Sequence, residues 1–133
     1  MANYTPQQLE LYLERIRYPG SATNPSRLQC LQQAVTDNPL AALAELQRRQ
    51  LSFIPWGNTA LHYSTHRTIS IRPACVFEKL VARALDGYCM ENNTLLYGVL
   101  RFLGYRVYPT GGRVCLAASG ETYEGVEKLY TGL

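Results

Sequence analysis

The sequence is poor in the residues from which most metal and general-base sites are built. It holds two histidines, His62 and His66, and no Cys-x-x-Cys pair; its four cysteines, Cys30, Cys75, Cys89 and Cys115, are widely spaced. A zinc site is therefore poorly supported, and no metal is expected. No apolar run approaches the roughly 20 residues needed to cross a bilayer, so no membrane association is expected. Residues 1–8 lack the basic and apolar segments of a secretory signal. The expected location is the cytoplasm, where the cysteines are reduced thiols and each one is, by default, a small buried hydrophobe. Basic residues are mostly arginine, scattered from Arg15 to Arg113 without forming a block. That scatter argues against nucleic-acid binding through a basic tract. There is no internal repeat and no low-complexity segment.

What is present is enough for a core. Apolar residues make up 47% of 133 residues and the formal charge is only +3. That length fits one domain or part of a larger one, and a chain of this size buries roughly two-thirds of its unfolded surface.

Capping signals organise the first half. Thr5-Pro6-Gln7-Gln8 offers a cap, a proline suited to the first helical position and a capping-box glutamine. Leu9, Tyr12, Leu13 and Ile16 follow at helical spacing, and Pro19-Gly20 is expected to end the helix. Ser26 opens a second helix bearing Leu28, Leu31 and Val35. Asn38-Pro39 opens a third with Leu40, Leu43 and Leu46, its C-terminus near Arg48-Arg49. Residues 51–55 are expected to be extended, Trp56-Gly57-Asn58 to turn, and residues 61–71 to be loop with a short strand. Pro73 begins a helix through Phe77, Leu80 and Val81. After the tight connection 84–88, a strong helix runs from Cys89 through Leu95, Leu96, Val99, Leu100 and Leu103, with Gly104 just past its end. Residues 105–108 and 114–118 read as two strands around a Pro109-Thr110-Gly111-Gly112 turn. Helices followed by strands make an α+β pattern that stops soon after the sheet starts.

Gly87-Tyr88-Cys89-Met90-Glu91-Asn92-Asn93 is the segment that carries chemistry. Gly87 permits a sharp turn, and Cys89 falls in the first turn of a helix, where unpaired N–H groups and the helix dipole favour a negative charge. Thiolate is the nucleophilic form of cysteine. Such a nucleophile ordinarily works with a histidine held by an acid or amide.

Five separated stretches, in order, resemble one family. They are Tyr12-Leu13-x-Arg15-Ile16, Ile54-Pro55-Trp56-Gly57-Asn58, Gly87-Tyr88-Cys89-x-Glu91-x-Asn93, Leu103-Gly104-Tyr105-Arg106-Val107 and Gly112-Arg113-Val114. Together they resemble the arylamine N-acetyltransferases, and Leu61-His62-Tyr63-Ser64 with the cysteine segment resembles fungal members. The resemblance implies that Cys89 takes acetyl from acetyl-CoA as a thioester and passes it to a small aromatic amine or hydrazine in a ping-pong sequence. It implies that Glu91 and Asn93 shape the cysteine site. It also implies a cysteine-protease-like core, with residues 1–104 as a helical domain carrying the nucleophile and residues 105–133 as the incomplete beginning of a β-barrel.

The departures from the family pattern are specific. Its arginine-glycine-glycine before the Tyr-Cys pair reads Leu85-Asp86-Gly87, which removes a polar anchor and puts a carboxylate where it is expected to oppose the thiolate. Its Pro-Phe-Glu-Asn-Leu reads Pro55-Trp56-Gly57-Asn58-Thr59, and a histidine often found just before that segment is Gln50. No histidine follows His66 and no aspartate follows Asp86. In the family the catalytic histidine and aspartate come later than the cysteine. The sequence therefore reads as a truncated N-terminal portion of the enzyme. His62 and His66 read as surface or structural residues, as do Glu121, Glu124 and Glu127. Three functions compete on this reading: an acetyltransferase, an inactive remnant whose open sheet edge invites self-association, and a binding module that keeps only the helical scaffold.

Overall fold

The computed structural model describes residues 4–21 and 26–111. Helix α1 (Pro6–Arg15) starts as its sequence predicts: Thr5 Oγ1 accepts from the Gln8 N–H (3.2 Å), and Gln8 Oε1 accepts from the Thr5 N–H (2.9 Å). Helix α2 (Arg27–Asp37) is capped by Ser26, and α3 (Pro39–Phe53) by Asn38, whose Oδ1 accepts from the Ala41 N–H at 3.1 Å. Helix α1 packs on α2 and α2 on α3. Leu9, Tyr12 and Leu13 of α1, with its C-cap Ile16, meet Leu28, Leu31, Ala42 and Leu46 in the core. These positions recur at i, i+3, i+4 and i+7, so each helix turns one apolar stripe inward.

Several expected boundaries move. Helix α1 stops before Pro19-Gly20, at a turn with Arg17 left-handed (φ 53°). There the Tyr18 N–H donates to the Leu13 carbonyl (2.8 Å), closing the helix end. Residues 51–53 are helical rather than extended. The Ala42–Leu46–Gln50 stripe carries α3 forward, and the Arg15 guanidinium takes the orphan Phe53 carbonyl at its end. Residues 61–71 form no strand; a short α4 (Thr59–Tyr63) is followed by irregular chain.

Pro73 does open a helix, α5 (Pro73–Phe77), but its continuation Glu78–Ala82 is a π-turn. The Arg83 N–H reaches back to the Glu78 carbonyl at 2.8 Å, and the Leu85 N–H to Lys79 at 3.0 Å. Helix α6 (Cys89–Phe102) packs on α5. It ends as predicted, with Gly104 left-handed (φ 86°) and two hydrogen bonds closing the turn, Gly104 N–H to Arg101 (3.2 Å) and Tyr105 N–H to Leu100 (3.0 Å). Tyr4 packs on Phe77 with ring centroids 5.3 Å apart, and burial pushes its hydroxyl up to about 12.

The expected α+β class, with its cysteine-protease-like core and the first strands of a β-barrel, is not what the described residues form. They are mostly helical and hold no sheet; one isolated parallel bridge, Trp56 with Gly87, is the extent of β pairing among them. Residues 105–108 carry strand-forming side chains but run irregularly. A strand needs a partner's hydrogen bonds, and no described segment supplies one. Tyr105 instead donates its hydroxyl to the Pro39 carbonyl (2.6 Å), and Val107 packs against the helical core. The second expected strand, 114–118, lies outside the described residues. No sheet edge that would mediate self-association exists among the described ones. No helix among them is long and apolar enough to cross a membrane.

Candidate active site

Cys89 is the first residue of α6, half-buried and not in a disulfide. The chain on both sides of it is tied down. Upstream, Gly87 exchanges backbone hydrogen bonds with the 55–57 segment: Gly57 N–H to Gly87 (3.0 Å) and Gly87 N–H to Pro55 (3.1 Å). Tyr88 packs on Trp56, ring centroids 5.8 Å apart. Downstream, Asn92 Nδ2 donates back to the Gly87 carbonyl at 2.8 Å.

Glu91 explains why the helix starts here. It is 1% exposed, at the head of an i+4 stripe continued by Leu95 and Val99. A buried carboxylate is tolerated only when paired and hydrogen-bonded. Lys79 Nζ donates to both of its oxygens (2.8 and 2.9 Å), and the Tyr88 N–H donates to Oε2 (2.8 Å). One side chain thus caps α6 at the residue before the cysteine and locks it to the π-turn. No buried side-chain nitrogen or oxygen among the described residues lacks a partner.

A second buried polar chain reaches the same turn from the other side. Gln50 is 4% exposed. Its Oε1 accepts from the Tyr12 hydroxyl (2.9 Å), and its Nε2 donates to the Asn92 carbonyl (2.9 Å). Burial, with Tyr4 beside it, pushes the Tyr12 hydroxyl above its usual range, so it remains a donor at neutral pH. Helices α1, α3 and α6 are joined in this way just behind the cysteine.

The residues singled out in the sequence separate here. Cys89 and Glu91 share the first turn of α6. Asn93 is exposed and faces a groove of about 580 Å³ with Met90, Tyr97, Val107 and Tyr108. Its neighbour Asn92 is the one that holds the Gly87 loop. The sequence assigns no role to Lys79 or Asn92, and it presents Gln50 and Thr59 only as departures from the family pattern. A glutamate and a glutamine on otherwise apolar i+4 stripes were the available signal, since each requires a buried partner. Asp86 turns toward Thr59, whose hydroxyl lies 2.7 and 2.8 Å from its two oxygens.

His62 and His66 are exposed, and among the described residues neither is hydrogen-bonded to the Cys89 thiol. No described group of three His, Cys, Asp or Glu side chains could hold a metal ion. The arrangement offers a half-buried thiol at the head of a helix whose entry is hydrogen-bonded on both sides, a placement compatible with attack on an electrophilic carbonyl.

The chain is similar to known proteins along most of its length. A family model described as N-acetyltransferase matches residues 39–130. An "N-malonyltransferase FDB2" of Fusarium pseudograminearum is 41% identical over 117 residues, covering 87% of this chain and 34% of that protein. The protein of the same name from Gibberella moniliformis is 37% identical over 124 residues, covering 87% of this chain and 34% of that protein. "Arylamine N-acetyltransferase, pineal gland isozyme NAT-3" of Gallus gallus is 32% identical over 118 residues, covering 89% and 36%. The chain thus spans about a third of the length of the curated relatives it matches.

Proposed function

The chain belongs to the arylamine N-acetyltransferase family, and from that premise we propose that Cys89 is the nucleophile of an acyl transfer from an acyl-CoA to an amine. The observation that carries this reading is the position of Cys89 at the head of α6, directly after a loop pinned by backbone and side-chain hydrogen bonds. In the first half-reaction the thiolate attacks the thioester carbonyl carbon. The bond from that carbon to the CoA sulfur breaks, CoA leaves as a thiol after taking a proton, and the acyl group stays on Cys89 as a new thioester. In the second, an aromatic amine or hydrazine attacks that carbonyl, an amide forms, the bond to Sγ breaks, and the amine's proton returns to solvent or to a base. Glu91 serves by holding the Tyr88 N–H, and with it the entry to α6.

Acetyl-CoA is the donor the family name implies, and malonyl-CoA is the alternative suggested by the N-malonyltransferase relatives. A cytoplasmic setting, which keeps thiols reduced, fits the same reading. Incubating the purified chain with each donor and mapping adducts by mass spectrometry tests it. A single acyl group on Cys89, absent in Cys89→Ser, is expected; a full-length relative that labels while this chain does not would reject the reading.

A second reading is favoured by the exposure of both histidines: a chain that keeps the nucleophile loop but, among its described residues, sets no base against Cys89. A missing general base slows turnover by roughly 10²–10⁴-fold. Under that reading the adduct forms slowly and is not discharged to an added arylamine.

A further inference from the structure

We propose that the Asp86 carboxylate is a positioning group for Cys89, acting through Thr59 and the space above Gly57. The proposal rests on the reading of Cys89 as the nucleophile, but it concerns how the loop before that residue is held.

The last three residues before Cys89 each meet the 55–59 segment. Tyr88 packs on Trp56, Gly87 exchanges two backbone hydrogen bonds with Pro55 and Gly57, and Asp86 accepts from the Thr59 hydroxyl. A one-residue bridge has few bonds with which to fix its register. Asp86 adds a second, side-chain attachment on the same segment. The fit is close: a Cβ on Gly57 would lie 1.8 Å from Asp86 Oδ2, so a carboxylate at 86 and a bare glycine at 57 are complementary. Alanine at 57 forces the carboxylate away without altering either hydrogen-bonding group. The sequence led us to expect this carboxylate to oppose the thiolate; in the structure it is engaged by Thr59. Because that hydrogen bond is exposed, it contributes little to global stability. Its effect is concentrated on the loop that aims the thiol.

The test uses the full chain and iodoacetamide, with Cys75 as the internal reference because it is exposed and lies on α5. Thr59→Val removes the hydroxyl and keeps the Asp86 charge. It is expected to raise alkylation of half-buried Cys89 roughly threefold relative to Cys75, the scale of one exposed polar contact, and to speed hydrogen exchange at the Gly57 and Gly87 amides. Thr59→Ser is expected to restore both values, and Gly57→Ala to reproduce the Thr59→Val result by a different route. An unchanged Cys89-to-Cys75 ratio in Thr59→Val and Gly57→Ala overturns the proposal. So does an equal rise at both cysteines, which reports general loosening, or a failure of Thr59→Ser to restore the ratio. None of these measurements requires acyl transfer, so they stand or fall apart from the assigned chemistry. Where the chain also labels with acyl-CoA, Thr59→Val is expected to slow labelling while it speeds alkylation.

Discussion

In the bundle of α1, α2 and α3, every helix opens with a side-chain cap only a few residues from the group it satisfies, and each lays an apolar stripe into one core. In the region from α4 to the start of α6, α4 and α5 have no side-chain cap, α4 buries nothing, and order comes from pairs distant in sequence: Lys79 with Glu91, Thr59 with Asp86, Gln50 with Asn92. In the bundle each helix start is closed by a neighbour in sequence, and bonds between helices, such as Tyr12 to Gln50 and the Leu28 N–H to Glu10, are added to those caps. The cysteine region leans instead on pairs 12 to 42 residues apart. Cys89, set on the second kind of structure, is held at a few named points.

The largest effect expected to sharpen this contrast is at Glu91. Glu91→Ala leaves the Lys79 ammonium and the Tyr88 N–H without their partner and should cost about 4 kcal/mol in urea unfolding. Adding Lys79→Met should recover most of that loss, because replacing both members of a buried pair is nearly neutral. A cost below about 1 kcal/mol for Glu91→Ala would mean the pair is solvated, and the contrast would fail.

Capping comes next. Ser26→Ala and Asn38→Ala should each lower stability by about 1 kcal/mol, whereas Asn58→Ala, at an N-cap that makes no side-chain hydrogen bond, should stay within about 0.5 kcal/mol. Equal losses at all three positions would break the distinction between self-capped and tertiary-held helices.

The smallest effect is in pH. Burial opposes ionisation of Glu10, but hydrogen bonds from Ser26 and from the Leu28 and Arg27 N–H groups, together with the Arg27 charge, outweigh it and hold its carboxyl below the usual value. A depressed carboxyl stabilises the fold above its unfolded value, near pH 4. That contribution fades as pH falls through the lower folded value. The stability gap between the native chain and Glu10→Gln should therefore be small and constant near neutrality and should close toward pH 3. A gap that widens in acid would reverse the assignment.

This contrast also decides what the sequence makes legible. Thr5, Ser26, Asn38 and Gly104 announce helix ends because cap and capped group are close neighbours in the chain. Leu9, Tyr12, Leu13 and Ile16 announce a buried face by spacing alone. Cys89 could be placed at a helix start from Gly87 and the apolar run after it. Lys79, Thr59 and Gln50 could not be matched with their partners, because those bonds span 12, 27 and 42 residues. Asn93 drew attention through its motif, yet Asn92 makes the loop contact, since one step along a helix swings a side chain to another face. Residues 105–108 carry strand formers yet form no strand, because strand propensity says what a segment tolerates and pairing decides what it becomes.

The π-turn Glu78–Ala82 sets a phase. Its turn holds one residue more than an α-helix turn does, so the chain leaving at Arg83 is rotated by a little over a quarter of a revolution relative to a regular continuation of α5. Deleting a single residue there would let the helix wind regularly and leave composition and apolar content almost untouched. It would also swing the Lys79 ammonium or the incoming 84–88 loop out of alignment with Glu91. One-residue insertions and deletions in this short stretch are thus expected to be far less interchangeable than substitutions, and the count of residues between Pro73 and Cys89 is itself part of the design.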